Sequence, residues 1–198
     1  METRLLYQAK CKDLSIPNIE NQYQKFRDNC LNHCQKRTFK MVGGQIGSTS
    51  AKVISLIIKA NQNFSKFDIG YNKIGDIGIT SIANVFENFR CPSIIALNVS
   101  TNSLSPVGLT TLFNSLHCNQ SLIDLDISSK SRESKNRNRI NTESIQALAE
   151  LLKVNRFIQY INLSGLSIAD KGLEILKDEA VDNSNHVSSL VNLNLNST

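Results

Sequence analysis

Residues 64–86 read FSKFDIGYNKIGDIGITSIANVF, and residues 94–116 read IIALNVSTNSLSPVGLTTLFNSL. Both open on apolar-x-x-apolar-x-apolar-x-x-Asn-x-apolar, a strand-like alternation that ends at an asparagine. Both continue at helical spacing: Ile79, Ile82 and Phe86 after Ile74, and Leu109, Leu112 and Leu116 after Leu104. The glycines between strand and helix (Gly70, Gly75, Gly78) resemble a phosphate-cradling loop at first sight. However, Gly78 falls in register with Gly108, and a single ligand-binding loop would not need copies. GGQIGSTS (43–50) also lacks the lysine that a phosphate loop places before its Ser/Thr. The glycines are therefore assigned a structural task.

The pattern extends in both directions. LIDLDI (122–127) leads to Ile140, Ile145, Leu148 and Leu152; IQYINL (158–163) leads to Ile168, Leu173 and Leu176, with Gly172 in register. LVNLNL (190–195) follows, and a degenerate copy upstream holds Phe39, Met41, Ile46, Ala51, Ile54 and Ile58. The central strand residues are Phe39, Phe67, Leu97, Leu125, Ile161 and Leu193, separated by 28, 30, 28, 36 and 32 residues. The step of 36 contains an insertion that coincides with the basic run KSRESKNRNR (130–139); removing it places Asn138 in the asparagine position.

These residues carry a resemblance. The unit LxxLxLxxNxL followed by xxxGxxxL resembles the leucine-rich repeat of the ribonuclease-inhibitor-like type, a group that includes Ran GTPase-activating proteins and axonemal proteins. The resemblance implies an α/β fold: a right-handed solenoid with a curved parallel sheet on the concave side and helices on the convex side. Packing requires the same curvature, because strands stack about 4.8 Å apart whereas helices need about 10 Å. Asn72, Asn102 and Asn138 stand where the chain leaves the sheet, so their amides are expected to pair backbone groups without a ladder partner. Ser105–Pro106 and Thr142–Glu143 read as helix starts.

Residues 1–35 lie outside the repeat and are assigned to an N-terminal helical capping segment, with a helix over Ile19–Cys34 carrying Ile19, Tyr23, Phe26 and Cys30. Residues 36–198 form the solenoid: about five repeats and a terminal strand. That strand ends the chain bare, so either the chain is a fragment or a partner covers the open C-terminal end.

The chain has 198 residues, a net charge of +5, six per cent aromatics and no tryptophan, so the core is mainly aliphatic. Much of the charge excess sits in the insertion and is not spread over a face with interleaved aromatics, which argues against nucleic acid. Five cysteines without framework spacing, no secretory signal and no long apolar run point to a reducing cytoplasmic setting and no membrane span.

Reactive constellations are weak. His33, His117 and His186 fall in different parts of the pattern, with no triad spacing. Cys30, His33 and Cys34 share a helical face with Cys11 upstream, but the paired spacing of zinc sites is absent, so these read as small apolar positions; no metal or other cofactor is assigned. Asp68 and Asp126 occupy equivalent strand positions two copies apart, about 10 Å by strand spacing, without a pocket around them.

What remains is a surface. The concave face is expected to present Lys66, Asp68, Tyr71, Ile95, Asn98, Ile123, Asp124, Asp126, Tyr160, Asn162, Val191 and Asn194 to a protein partner. Lys130, Arg132, Lys135, Arg137 and Arg139 form a loop suited to an acidic surface. The expected function is non-enzymatic: a protein-interaction scaffold in a large intracellular assembly, cytoskeletal or ciliary/axonemal by the resemblance. The alternative from the same resemblance is a regulator of a small GTPase of the Ran-activator type. An immune-receptor fragment would require a nucleotide-binding domain, which these residues do not contain.

Overall fold

The structure, a computed structural model, describes residues 3–34, 37–60, 63–87, 93–129, 135–180 and 189–196. Two helices come first, α1 (Thr3–Leu14) and α2 (Glu20–His33). Strands and helices then alternate: β1 (Thr38–Lys40), α3 (Ser48–Ala60), β2 (Lys66–Asp68), α4 (Gly75–Phe86), β3 (Ala96–Asn98), α5 (Pro106–Ser115), β4 (Asp124–Asp126), α6 (Thr142–Val154), β5 (Tyr160–Asn162), α7 (Asp170–Ala180) and β6 (Asn192–Asn194). The six strands form one parallel sheet in sequence order. Phe39, Phe67, Leu97, Leu125, Ile161 and Leu193 lie side by side in register, and α3 to α7 pack in succession along the other layer.

Strands β1 to β5 each contribute a buried central residue between two more exposed ones, as period two requires, whereas Leu193 of β6 is only partly buried. Behind the sheet, Phe39 stacks on Phe67 at 5.3 Å between centroids, and Phe64 meets both rings edge-on. From β3 onward the core is aliphatic except for Phe113. Burying each such side chain contributes about 1.5–3 kcal/mol.

The repeated glycines are points of helix contact. A Cβ on Gly78 would lie 2.9 Å from the Ala51 Cβ and 3.2 Å from the Ser48 Cα, so its absence lets α4 close on α3. A Cβ on Gly108 would strike the Asp76 carboxylate.

The turn from strand to helix is organised by buried amides. Asn72 Nδ2 donates to the carbonyls of Met41 (2.8 Å), Ile69 (2.9 Å) and Gly70 (3.0 Å), while its Oδ1 accepts from the Ile46 N–H at 3.2 Å. Asn102 repeats this, donating to the carbonyls of Ile69 (2.9 Å) and Ser100 (3.1 Å). Asn138 takes the same place despite the insertion. It donates to the carbonyls of Val99 (3.1 Å) and Ile127 (2.9 Å) and accepts from the N–H groups of Asn102 (2.9 Å) and Leu104 (3.1 Å). The ends of the insertion are tied together: the Asn138 N–H donates to Ser129 Oγ at 2.8 Å.

The residue before the asparagine turns left-handed at Tyr71 (φ 59°) and Thr101 (50°), and Gly43 (61°) and Gly165 (72°) take the corresponding place before Gly44 and Leu166. At Gly165 a Cβ would overlap the Ser129 carbonyl. Thr101 is the strained member. It is β-branched, buried at 4% exposure, and its hydroxyl finds no hydrogen-bond partner among the described residues.

The helix starts differ in one detail from the expectation. Ser105 caps α5, its Oγ accepting from the Val107 N–H, with Pro106 at the first position. The cap of α6 is Asn141, one residue before Thr142, because Asn141 and Ser144 exchange a capping box. Leu173, in register with buried Leu109, is 37% exposed, since among the described residues no helix follows α7.

At the N-terminal end, α2 buries Tyr23, Phe26 and Cys30. A second helix that periodicity had not marked, α1, packs on both α2 and α3. Asp13, near the end of α1, accepts from the N–H groups of Gly47 (2.8 Å), Thr49 (2.9 Å) and Ser50 (2.9 Å) at the start of α3. Burial raises the Asp13 pKa, but hydrogen bonds from Ser50, Thr49 and Gly47 outweigh it and hold the carboxyl below its ordinary value. At the start of α5, Asp76 accepts from the Ser105 N–H at 2.8 Å and from its hydroxyl at 2.5 Å.

Asn102→Ala is expected to destabilise by about 2–4 kcal/mol in denaturant titrations, since it strands several buried backbone groups. Asn102→Asp should be no better, because a carboxylate cannot donate to the carbonyls of Ile69 and Ser100. Thr101→Gly should instead stabilise by about 0.5–1 kcal/mol, relieving left-handed strain and an orphaned hydroxyl against the loss of one methyl and glycine entropy.

Candidate functional site

Two rows of side chains leave the sheet away from the helices. One follows each central buried residue: Lys40, Asp68, Asn98, Asp126, Asn162 and Asn194. Four of these are already engaged with their own backbone. Asn98 Oδ1 accepts from the Ser100 N–H (2.9 Å), Asp126 from Ser128 (2.9 Å), Asn162 from Ser164 (3.1 Å) and Asn194 from Asn196 (3.1 Å). This row therefore closes the strand ends by short Asx turns. Asn162 Nδ2 also donates to Asp126 Oδ2 at 3.2 Å. Lys40 Nζ stands 4.0 Å from Asp68 Oδ2, with the lysine half exposed, an ion pair of small energetic weight.

The other row precedes each central residue: Thr38, Lys66, Ala96, Asp124, Tyr160 and Asn192. Among the described residues, the side chains of Lys66, Asp124, Tyr160 and Asn192 make no internal hydrogen bond, and all four are exposed. Ala96, the small member, sits in a shallow depression of about 240 Å³ bordered by Lys66, Asp68, Asn98, Asp124 and Asp126. Loss of solvent in this hollow raises the Asp124 pKa, repulsion from Asp126 adds to it, and Lys66 opposes it.

The remaining candidates lie off these rows. Tyr71 is in the turn after β2, left-handed and 38% exposed. Ile95, Ile123 and Val191 come just before their strands, on the edge where the helices return; Ile95 is 37% and Val191 68% exposed. In the insertion, Lys135 and Arg139 are exposed, and Arg137 Nη2 donates to Ser167 Oγ at 3.0 Å. Lys130, Arg132 and His186 lie outside the described residues.

The cysteine-rich helix face behaves as an apolar one. Burial, with a smaller contribution from Cys34, pushes the Cys30 thiol up to about 12, and burial also raises Cys34. A thiol so placed stays protonated at neutral pH and is poorly suited to nucleophilic work.

Sequence reasoning missed a second set of asparagines. Asn155 Oδ1 accepts from the N–H groups of Phe157 (2.8 Å) and Ile158 (3.0 Å), and its Nδ2 donates to the carbonyls of Leu116 (2.8 Å) and Asn119 (2.9 Å). Asn119 similarly accepts from Ser121 (3.1 Å) and Leu122 (2.8 Å). The common spacing Asn-x-x-Leu/Ile before a strand was the available signal.

Known proteins share this architecture. A family model described as Leucine Rich repeat matches residues 60–83. NACHT, LRR and PYD domains-containing protein 12 of Homo sapiens is 26% identical over 92 residues, 46% of this chain and 9% of that protein. The match therefore spans about a tenth of that curated relative's length. Among solved structures, leiomodin-1 actin-binding site 2 superposes with a TM-score of 0.60 at 16% identity, covering 83% of this chain and 88% of that one. The tropomodulin C-terminal domain of Caenorhabditis elegans gives 0.56 at 16% identity, covering 77% and 90% respectively. At these identities the likeness is one of fold.

Asp124→Asn is expected to stabilise slightly at pH 7, by about 0.5 kcal/mol or less for an exposed charge. The folded protein holds the Asp124 proton more tightly than the unfolded chain does. The wild type therefore loses stability as pH rises above the unfolded value of about 3.9, and the gain from the substitution should vanish below it in thermal melts run across pH.

Proposed function

We propose that this leucine-rich repeat protein acts by holding a protein partner against the exposed row of its sheet, as a non-enzymatic scaffold in a cytoskeletal assembly of the cytoplasm. The observation that carries the reading is the division of labour on that face. In one row, four of the six side chains are tied to the backbone. The other is locked in register by a parallel sheet and keeps its polar groups available. A surface ordered before binding loses little conformational entropy when a partner arrives. Its composition suits recognition: Lys66 toward one end, the Ala96 hollow, Asp124 with Asp126, and the Tyr160 ring, 44% exposed.

The leiomodin-1 neighbour is itself an actin-binding site, which supports an actin-based cytoskeletal setting over an axonemal one. No helix among the described residues is long and apolar enough to cross a membrane. Residues 1–35 serve in this reading as the cap of a solenoid spanning 36–198. The last strand offers a second contact for a multi-subunit complex: Leu190, Leu193 and Leu195 remain partly exposed, where Ile158, Ile161 and Leu163 of the preceding copy are buried. Lys135 and Arg139 extend the reach to an acidic surface.

The test is co-sedimentation with actin filaments. Wild type should pellet in a saturable manner, and the double variant Lys66→Glu/Tyr160→Ala should bind at least tenfold more weakly with an unchanged melting temperature. Absence of pelleting removes the actin assignment, and pelleting unaffected by the double variant removes the sheet as the site. Phosphate release from a panel of loaded small GTPases should stay at its basal rate; acceleration would favour the GTPase-regulator reading.

A further inference from the structure

A second recess lies at the β1 end of the sheet, where Lys40 of the backbone-tied row borders it. It runs between α2 and the turn after β1 and has a volume of about 390 Å³, at the lower end of the range typical of ligand sites. Its walls are apolar: Phe26, Cys30, Met41 and Val42 line it. Its charged lining is of one sign. Lys10 and Lys40 border it together with the His33 imidazole, and among the described residues no carboxylate lines it.

Neither lysine is firmly neutralised. Lys10 Nζ stands 5.5 Å from the centre of the Phe26 ring, over an apolar wall. Among the described residues, the ion pair of Lys40 is the 4.0 Å approach to Asp68. Val42, 41% exposed, and Met41, 9% exposed, add apolar surface to the same lining. The two lysines come from different elements, Lys10 from α1 and Lys40 from β1.

We propose that this groove takes a short acidic segment of a partner protein, seating one bulky apolar side chain against Phe26 and Met41 and pairing flanking carboxylates with Lys10 and Lys40. Charge complementarity selects the acidic character, since a basic or neutral segment would leave Lys10 facing an apolar wall and Lys40 with no more than its 4.0 Å approach to Asp68. The apolar wall of Phe26, Met41 and Val42 beside the lysines selects a peptide over a simple anion, which would leave that wall uncovered. Carboxylates on both sides of an apolar residue are what Asp or Glu next to Leu, Ile or Phe provides. The proposal shares no residue with the exposed row of Lys66, Asp124 and Tyr160 and can fail or hold separately.

The experiment is selection of random dodecapeptides displayed on phage against the intact chain, followed by fluorescence anisotropy with the selected peptides. The expected winners carry Asp or Glu flanking Leu, Ile or Phe and lose affinity as salt is raised. Lys10→Glu/Lys40→Glu should weaken them at least tenfold, and so should Val42→Asp at an exposed wall position, with circular dichroism unchanged. Lys66→Glu/Tyr160→Ala should leave them unaffected. Recovery of no binding peptide, winners without acidic residues, or equal binding by the groove variants would overturn the assignment. Loss of binding only in the sheet variant would transfer the peptides to the other face.

Discussion

A chain leaving a parallel sheet carries N–H and C=O groups that have lost their ladder partners, and here they are buried. That constraint organises the molecule. The asparagine side chain answers it because one amide both donates and accepts. Asn102 reaches the carbonyl of Ile69 in the copy before it and offers its own N–H to Asn138 in the copy after it. Each turn is therefore completed by its neighbours. An unsatisfied buried group costs about 1–3 kcal/mol, so the copies cannot slide or tilt independently. Asn138 shows the strength of the demand: the chain makes an excursion, is tied at Ser129, and still returns to put an amide in line.

The same geometry divides the exposed face. A short strand between two turns has two residues pointing away from the core. The second of them lies next to the turn, where a carboxylate or amide can accept from an N–H two residues on. Asn98, Asp126, Asn162 and Asn194 do so. The first has no backbone group within such reach, and those side chains stay available to a partner. The candidate surface thus follows from how the turns are closed.

Much of the fold was legible because it repeats. Period two, period 3.6 and a shared asparagine recur in register, and the insertion could be subtracted without the rest losing alignment. The surface was legible only in part. Lys66, Asp124 and Tyr160 could be placed by alternation alone, but Asp126 and Asn162 looked equally available until their partners were visible. Tyr71 was aligned with the strand, yet it belongs to the turn. The groove beside α2 was not legible at all, since Lys10, Phe26 and Lys40 lie far apart in the chain and follow no shared period.

The sequence by itself determined the number of strands, their order, which residue of each points inward and, in three copies, the asparagine that closes the turn. Those are local matters, decided by side-chain periodicity and by backbone groups within a few residues. Tertiary structure alone decided what crosses from one element to another. Asp13 caps a helix that begins over thirty residues later, and Asp76 caps the helix of the next copy. α1, which carries little of the repeat pattern, joins the stack because α3 offers it unpaired N–H groups. Such contacts depend on distance in space, and a linear pattern records only distance along the chain.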